Sequence, residues 1–207
     1  ALVAAGVMTA DDAIRTVRER GILMQEAVPA GVGGMSAVLG MTADEINAVV
    51  DEIPNVQVAN YNCPGQIVIS GLKEAVEIAA VKLKEAGARR VIPLNVSGPF
   101  HSYLLEEAGE KLGKFLENIP VSEPVIPYVA NVTAAYVTKA EDVKPLLTRQ
   151  VSSSVRWQQS VETMLADGVD RFIEIGPGKT LAGFIRKINR EATVINIEKF
   201  EDLEKLN

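Results

Sequence analysis

The sequence predicts an α/β chain in which a small α+β module is inserted into a larger unit built on a parallel sheet. Three patterns lead there. Residues 36–96 run strand, helix, strand, strand, helix, strand, which is the ferredoxin-like order. Beyond residue 101, strands alternate with helices, as they do where parallel strands are joined by helical crossovers. Between the first helical stretch and the module, residues 29–34 hold one proline and three glycines, a composition that reads as a linker. The module is therefore assigned to residues 35–96, and the larger unit to residues 1–34 together with 97–207.

Each element has a local reason. Ala1-Leu2-Val3-Ala4-Ala5-Gly6 has the composition of a helix end stopped by a glycine, with neither an N-cap nor an initiating Met before it. The chain is thus expected to start within an element, with the larger unit incomplete at its N-terminal side. Thr9 and Asp12 are spaced like a capping box and open a helix to about residue 27. Its expected buried stripe is Ile14, Val17, Gly21, Met24 and Val28. A strand at 36–41 precedes Thr42 and Glu45, which cap a helix carrying Ile46, Val49, Val50 and Ile53. Strands at 56–62 and 66–70 flank Cys63-Pro64-Gly65, where Pro and Gly suit the central positions of a type II turn. A helix with Val76, Ile78, Ala79, Ala80 and Leu83 ends at Gly87, and a strand at 89–96 follows. Next come a helix with Leu104, Leu105, Ala108, Leu112, Phe115 and Leu116, then a strand at 125–131 and helices near 141–151 and 157–167. The pattern closes with a strand at 171–175, a Gly176-Pro177-Gly178 turn, a helix at 179–189 and a strand at 193–197.

Composition narrows the function classes. With 47% hydrophobic and 23% charged residues, the 207-residue chain can bury an ordinary core. A net charge of −6 argues against nucleic acid as a general partner, because phosphate binding needs a basic surface. One cysteine excludes an intramolecular disulfide, and with one histidine there is no Cys/His zinc set. No apolar run reaches the roughly 18 residues that span a bilayer. No basic segment precedes the first apolar stretch, so the cytoplasm is the expected location.

The single histidine, His101, lies in Ser97-Gly98-Pro99-Phe100-His101-Ser102 between a strand and an amphipathic helix. It is the one side chain whose ordinary pKa lies near neutrality, so it is the candidate proton carrier. A helix starting just after it would disfavour protonation and keep the ring neutral, as a general base requires. Against this stands a plain loop histidine. Arg20 borders the apolar stripe of the first helix, with Val17 before it and Met24 after it. It is either a solvated head on a packed stem or a semi-buried fork for a carboxylate. Asn60 and Asn62 alternate on a strand and should share a face, as turn-stabilising amides or as the lining of a polar groove. Cys63 reads as a small packed side chain. Gly176-Pro177-Gly178-Lys179-Thr180 lacks the earlier glycine of a phosphate loop, since position 173 is Ile173, so it reads as a tight turn.

Four segments in order carry a resemblance. Arg20-Gly21-Ile22-Leu23-Met24-Gln25-Glu26-Ala27, Asn60-Tyr61-Asn62-Cys63-Pro64-Gly65-Gln66, Gly98-Pro99-Phe100-His101-Ser102 and Glu174-Ile175-Gly176-Pro177-Gly178-Lys179 resemble the malonyl-CoA:acyl-carrier-protein transacylases of bacterial fatty acid synthesis. The likeness extends over essentially the whole chain and implies a hydrolase-like acyltransferase domain with an inserted ferredoxin-like subdomain. Ala1-Leu2-Val3-Ala4-Ala5-Gly6 resembles the helix that directly follows the family's Gly-His-Ser-Leu-Gly elbow, which implies a nucleophilic serine upstream of Ala1 and an inactive 207-residue chain.

Carried over by motif, His101 is the general base and acid, with its other ring nitrogen held by the main-chain carbonyl of Gln150. Arg20 clamps the malonyl carboxylate, and Met24 is a further substrate-binding residue. Phe100, before the histidine, resembles malonyl-selecting more than methylmalonyl-selecting members. Asn60, Asn62 and Gln66 lie near the coenzyme A or phosphopantetheine arm. The reaction implied is ping-pong through a serine ester, with no metal or redox cofactor and coenzyme A thioester as substrate. The partner implied is acyl carrier protein, to a monomeric enzyme. Docking of that acidic partner falls to Lys82, Lys84, Arg89 and Arg90, or to Arg186, Lys187 and Arg190. Alternatives are the acyltransferase of a polyketide synthase or malonate decarboxylase system and, in a different class, a non-catalytic ferredoxin-like binding module. The last is disfavoured because Tyr61 is the only aromatic in residues 35–96.

Overall fold

The computed structural model describes residues 1–206. It begins with a turn in which Gly6 N–H donates to Val3 O (3.0 Å) and Val7 N–H to Leu2 O (2.9 Å), with Gly6 at φ 73°. These are the two bonds of a Schellman helix end, as the glycine suggested. Helix α1 (Ala10–Ala27) is capped by Thr9, whose hydroxyl accepts from Asp12 N–H at 3.1 Å. Met24 and Val28 are buried, but Ile14 and Val17 are 67% and 69% exposed. The predicted stripe is therefore wrong in its first half: α1 packs mainly on a later helix through its C-terminal turns, and nothing among the described residues covers Ile14 and Val17.

The inserted unit is a four-stranded antiparallel sheet. Strands β1 (Gly33–Leu39), β2 (Val56–Cys63), β3 (Gln66–Leu72) and β4 (Arg90–Pro93) stand in the order β2-β3-β1-β4, with α2 (Ala43–Val50) and α3 (Lys73–Glu85) on one face. That order is the ferredoxin-like arrangement. The capping box at Thr42 and Glu45 forms in full. At the β2–β3 turn, Cys63 pairs with Gln66, and Gly65 takes φ 72°, the conformation a type II turn reserves for glycine.

The stretch expected to be a linker is partly strand. Gly33 and Gly34 begin β1, paired with Leu72 and Gly71. Glycine is required at position 33 for space, because a Cβ there would lie 2.4 Å from Pro99 Cγ. Helical propensity and period do not register such a contact, and three glycines in a row of six simply read as loop.

The helical face of this sheet buries the largest apolar cluster, with Val38, Ile46, Ile69 and Leu83 fully inaccessible. The opposite face carries a small cluster of Met35, Ala59 and Val68, against which Phe100 of the larger unit packs.

After residue 101 a single 3-10 turn (Tyr103–Leu105) leads into α4 (Glu106–Leu116), which packs on α1 and on α5 (Ala140–Gln150). The strand expected at 125–131 is shorter. It is β5 (Tyr128–Ala130), hairpin-paired with β6 (Ala135–Val137), a strand the sequence pattern missed because it is only three residues long. The chain then forms α6 (Trp157–Ala166), β7 (Arg171–Ile175), α7 (Thr180–Ile188) and β8 (Thr193–Ile197). Strands β7 and β8 are parallel, so the expected parallel sheet is represented by one pair among the described residues. The two units are joined at β2, where Tyr61 N–H donates to Val155 O (2.9 Å) and Val155 N–H to Ala59 O (2.8 Å). Among these residues no helix is long and apolar enough to cross a membrane.

Candidate active site

Phe100 and His101 leave the inserted unit on the segment after β4, and α1 approaches the same place from the larger unit. Between the open face of the sheet and α1 lies a cleft of about 470 Å³. Five residues singled out in the sequence line it together: Arg20, Met24, Asn60, Phe100 and His101. Met35, Leu94 and Val96 complete its apolar wall, and these were not anticipated, since each reads locally as strand or strand-end packing.

His101 has a left-handed backbone, φ 57°, unusual for a residue with a side chain. Its Nδ1 stands 3.1 Å from Gln150 O at the end of α5. A carbonyl can only accept, so the ring donates from Nδ1–H, and the neutral form keeps its lone pair on Nε2. Burial pushes the imidazole below its ordinary 6.5, opposed by the Gln150 carbonyl; the charge of Arg20 lowers it further, and the Ser153 carbonyl raises it. The neutral ring foreseen from the sequence is thus met in direction but by another cause. The α-helix begins only at Glu106, beyond the short turn, and burial is the largest cause of the lowered value.

Arg20 is half-buried, and desolvation lowers its pKa. Among the described residues no carboxylate pairs with it; the four ion pairs are Arg15–Asp12, Lys111–Glu107, Lys139–Glu141 and Lys205–Asp202. A guanidinium partly stripped of water and lacking an internal anion is prepared to accept a planar carboxylate through two hydrogen bonds.

Two serine hydroxyls of the segments around the histidine are bonded to main-chain carbonyls. Ser102 Oγ donates to Pro99 O (2.6 Å) and Ser154 Oγ to Val58 O (2.6 Å).

The remaining candidates scatter. Asn60 faces the cleft, whereas Asn62 and Gln66 lie outside its lining. The expected alternation fails because β2 has register shifts between Val58 and Asn60 and between Tyr61 and Cys63, each displacing a side chain from its regular face. Gln66 Oε1 instead accepts from Lys187 Nζ at 3.2 Å, tying α7 to the β2–β3 turn. Lys82, Lys84, Arg89 and Arg90 are exposed around the end of α3 and the start of β4. Arg186, Lys187 and Arg190 are exposed at the end of α7, and Arg186 Nη2 donates to Val194 O. Cys63 is buried and its thiol is pushed up by desolvation, as expected of a packing residue.

The Gly176–Gly178 loop holds no phosphate geometry. Glu174 fills the N-terminus of α7, accepting from Leu181 N–H (3.1 Å) and Ala182 N–H (2.9 Å), so the protein's own carboxylate occupies the place an anion would take. No group of three or more metal-ligating side chains occurs among the described residues.

Known proteins agree with this architecture. The chain is 48% identical over 208 residues to the malonyl CoA-acyl carrier protein transacylase of Bacillus subtilis (strain 168), a match covering 99% of this chain and 66% of that protein. It is 42% identical to the protein of the same name from Staphylococcus aureus (strain MRSA252), covering 100% of this chain and 68% of that one. The chain thus spans about two thirds of the length of these curated relatives. Among solved structures, an acyl carrier protein S-malonyltransferase from Vibrio cholerae superposes with a TM-score of 0.97 at 41% identity, over 100% of this chain and 69% of that one. A malonyl-transacylase solved in complex with a type II polyketide acyl-carrier protein gives 0.96 at 40% identity, over 99% of this chain and 67% of that one. The acyl transferase domain family matches residues 1–201, and with the cleft geometry above this chain belongs to that family.

Proposed function

We propose that this chain is the histidine- and arginine-bearing part of an enzyme that moves a malonyl group from coenzyme A to the phosphopantetheine thiol of an acyl carrier protein. The observation that carries the reading is the convergence of His101 and an unpaired Arg20 on one cleft.

In the proposed mechanism the neutral Nε2 of His101 takes the proton of a serine hydroxyl supplied from outside the 207 residues. The serine oxygen attacks the thioester carbonyl, and the imidazolium returns the proton to the departing coenzyme A thiolate. The second half runs in reverse: His101 takes the proton of the carrier's thiol, the thiolate attacks the serine ester, and the proton goes back to serine. Throughout, Gln150 O accepts from Nδ1–H, holding the tautomer as the carboxylate does in a full triad. Arg20 holds the malonyl carboxylate, while Met24 and Phe100 exclude water from the acyl group. Asn60 lies near the thioester arm, with Asn62 and Gln66 further along its approach.

The polyketide carrier bound to one structural relative supports a carrier protein as acceptor, on a fatty-acid or a polyketide pathway. The basic side chains at Lys82, Lys84, Arg89 and Arg90, or those at Arg186, Lys187 and Arg190, are the proposed docking surfaces for it. The serine assignment requires that the 207-residue chain alone transfer no malonyl group.

The test is substrate preference in the full-length protein. In Arg20→Ala, an acetyl thioester should be used about as before, whereas malonyl kcat/KM should fall roughly a hundredfold, the scale expected when a site loses its partner for a charged substrate group. Equal loss for acetyl and malonyl substrates would remove the clamp and with it the reading.

A further inference from the structure

We propose that Gln57 of the inserted sheet is a positioning residue that sets the geometry of the His101–Gln150 pair. Its catalytic consequence rests on the acyl-transfer reading above, although its effect on the ring does not. His101 adopts its left-handed backbone between Phe100 and Ser102 without glycine at that position, a conformation that persists only where surrounding contacts over-determine it. The contact that grips it is the Gln57 amide. Gln57 Nε2 donates to His101 O at 3.2 Å, and Gln57 Oε1 accepts from Tyr103 N–H at 3.0 Å, so one side chain spans the turn from both sides.

The same Nε2 lies 3.5 Å from Ser152 O, two residues beyond the carbonyl that holds the ring. The Gln150 segment is fastened to the same strand beside it, through Ser154 Oγ to Val58 O (2.6 Å) and through the main-chain pair of Val155 with Ala59 and Tyr61. Strand β2 is thus the common reference for the base and for the acceptor that orients it. Those two groups are 49 residues apart in sequence and lie on elements of the larger unit. Val-Gln-Val-Ala places one amide among apolar neighbours, and the fold uses both ends of it on main-chain groups that the rest of the turn leaves to it.

The experiment uses the full-length protein with Gln57→Leu and, as a milder change of equal size, Gln57→Glu, which keeps the acceptor for Tyr103 N–H but not the amide donor. Ring ¹⁵N resonances are assigned to His101 by their disappearance in His101→Gln. In the wild type, neutral His101 should show the proton on Nδ1. In Gln57→Leu it should shift toward the Nε2–H form that free imidazole side chains favour. Malonyl transfer should then fall about tenfold in kcat with the KM for malonyl-CoA within about twofold. Gln57→Glu should fall between the two. An unchanged Nδ1–H signature in both variants overturns the proposal, whatever happens to their melting temperatures. So does a fall in kcat that tracks lost folded protein while the tautomer is kept. A wild type with no malonyl transfer, but with a Gln57-dependent tautomer, removes the functional reading and leaves the positioning role standing.

Discussion

The two faces of the four-stranded sheet have been put to different uses. The face under α2 and α3 is closed: Val38, Ile46, Ile69 and Leu83 have no accessible surface, and the cluster contains only apolar side chains. The other face is half open. Met35, Ala59 and Val68 meet Phe100, and the sheet then gives way to a cleft holding a guanidinium, an imidazole and an amide. The first face stabilises the unit by excluding water uniformly. The second keeps polar groups partly desolvated, which lowers the pKa of both His101 and Arg20 and costs stability locally. Separating the two tasks lets the strained, polar side be carried by a core that makes no concessions to chemistry.

Substitutions on each face should separate the two roles. The largest effect belongs to the open face: His101→Ala in the full-length protein should reduce malonyl transfer by about 10³-fold, the range for a lost general base, with the thermal transition little changed. A variant retaining more than a tenth of the activity would mean that the imidazole is not the proton carrier. On the closed face the pattern should invert. Leu83→Ala, fully buried, should lower unfolding free energy by about 2–5 kcal/mol, measured by urea denaturation, while kcat per folded molecule is preserved.

The smallest effect is electrostatic. Because the folded protein holds His101 below its ordinary value, the unfolded chain binds the proton more readily. The stabilising contribution of the neutral buried ring is therefore complete above about pH 6.5 and is lost as the pH falls below it. Between pH 7 and pH 5 the melting temperature of the wild type should drop further than that of His101→Gln. Parallel curves would show that the ring is not desolvated in solution.

The elements of the inserted unit were legible because each carries its own local signal. The Thr42–Glu45 box, the Pro64-Gly65 turn and the apolar spacing of α3 all predict the observed structure. What failed was long-range. Gly33 and Gly34 looked like linker, yet they pair with Leu72 and Gly71 as strand, and position 33 is glycine because Pro99, 66 positions away, fills the space of its missing Cβ. Ile14 and Val17 have the spacing of a buried stripe and are exposed, since period shows which residues share a face but not what that face meets. In the site, the chemical types of Arg20 and His101 were readable, and their meeting across the cleft was implied only by resemblance. Gln57 gave no sign at all: its role exists only once His101, Tyr103 and Ser152 are brought around it. Likewise the irregular register of β2 separates Asn60 from Asn62, a displacement that alternation rules cannot express.

The main-chain link between Val155 and the Ala59–Tyr61 stretch fastens the sheet at its β2 margin, while the covalent crossings after α1 and after β4 fasten it from the side of β1 and β4. A plate anchored along opposite borders does not swing like a jaw. The open face of the sheet is held against the larger unit from two sides, so the spacing between Arg20 on α1 and Asn60 on β2 is set by the fold itself.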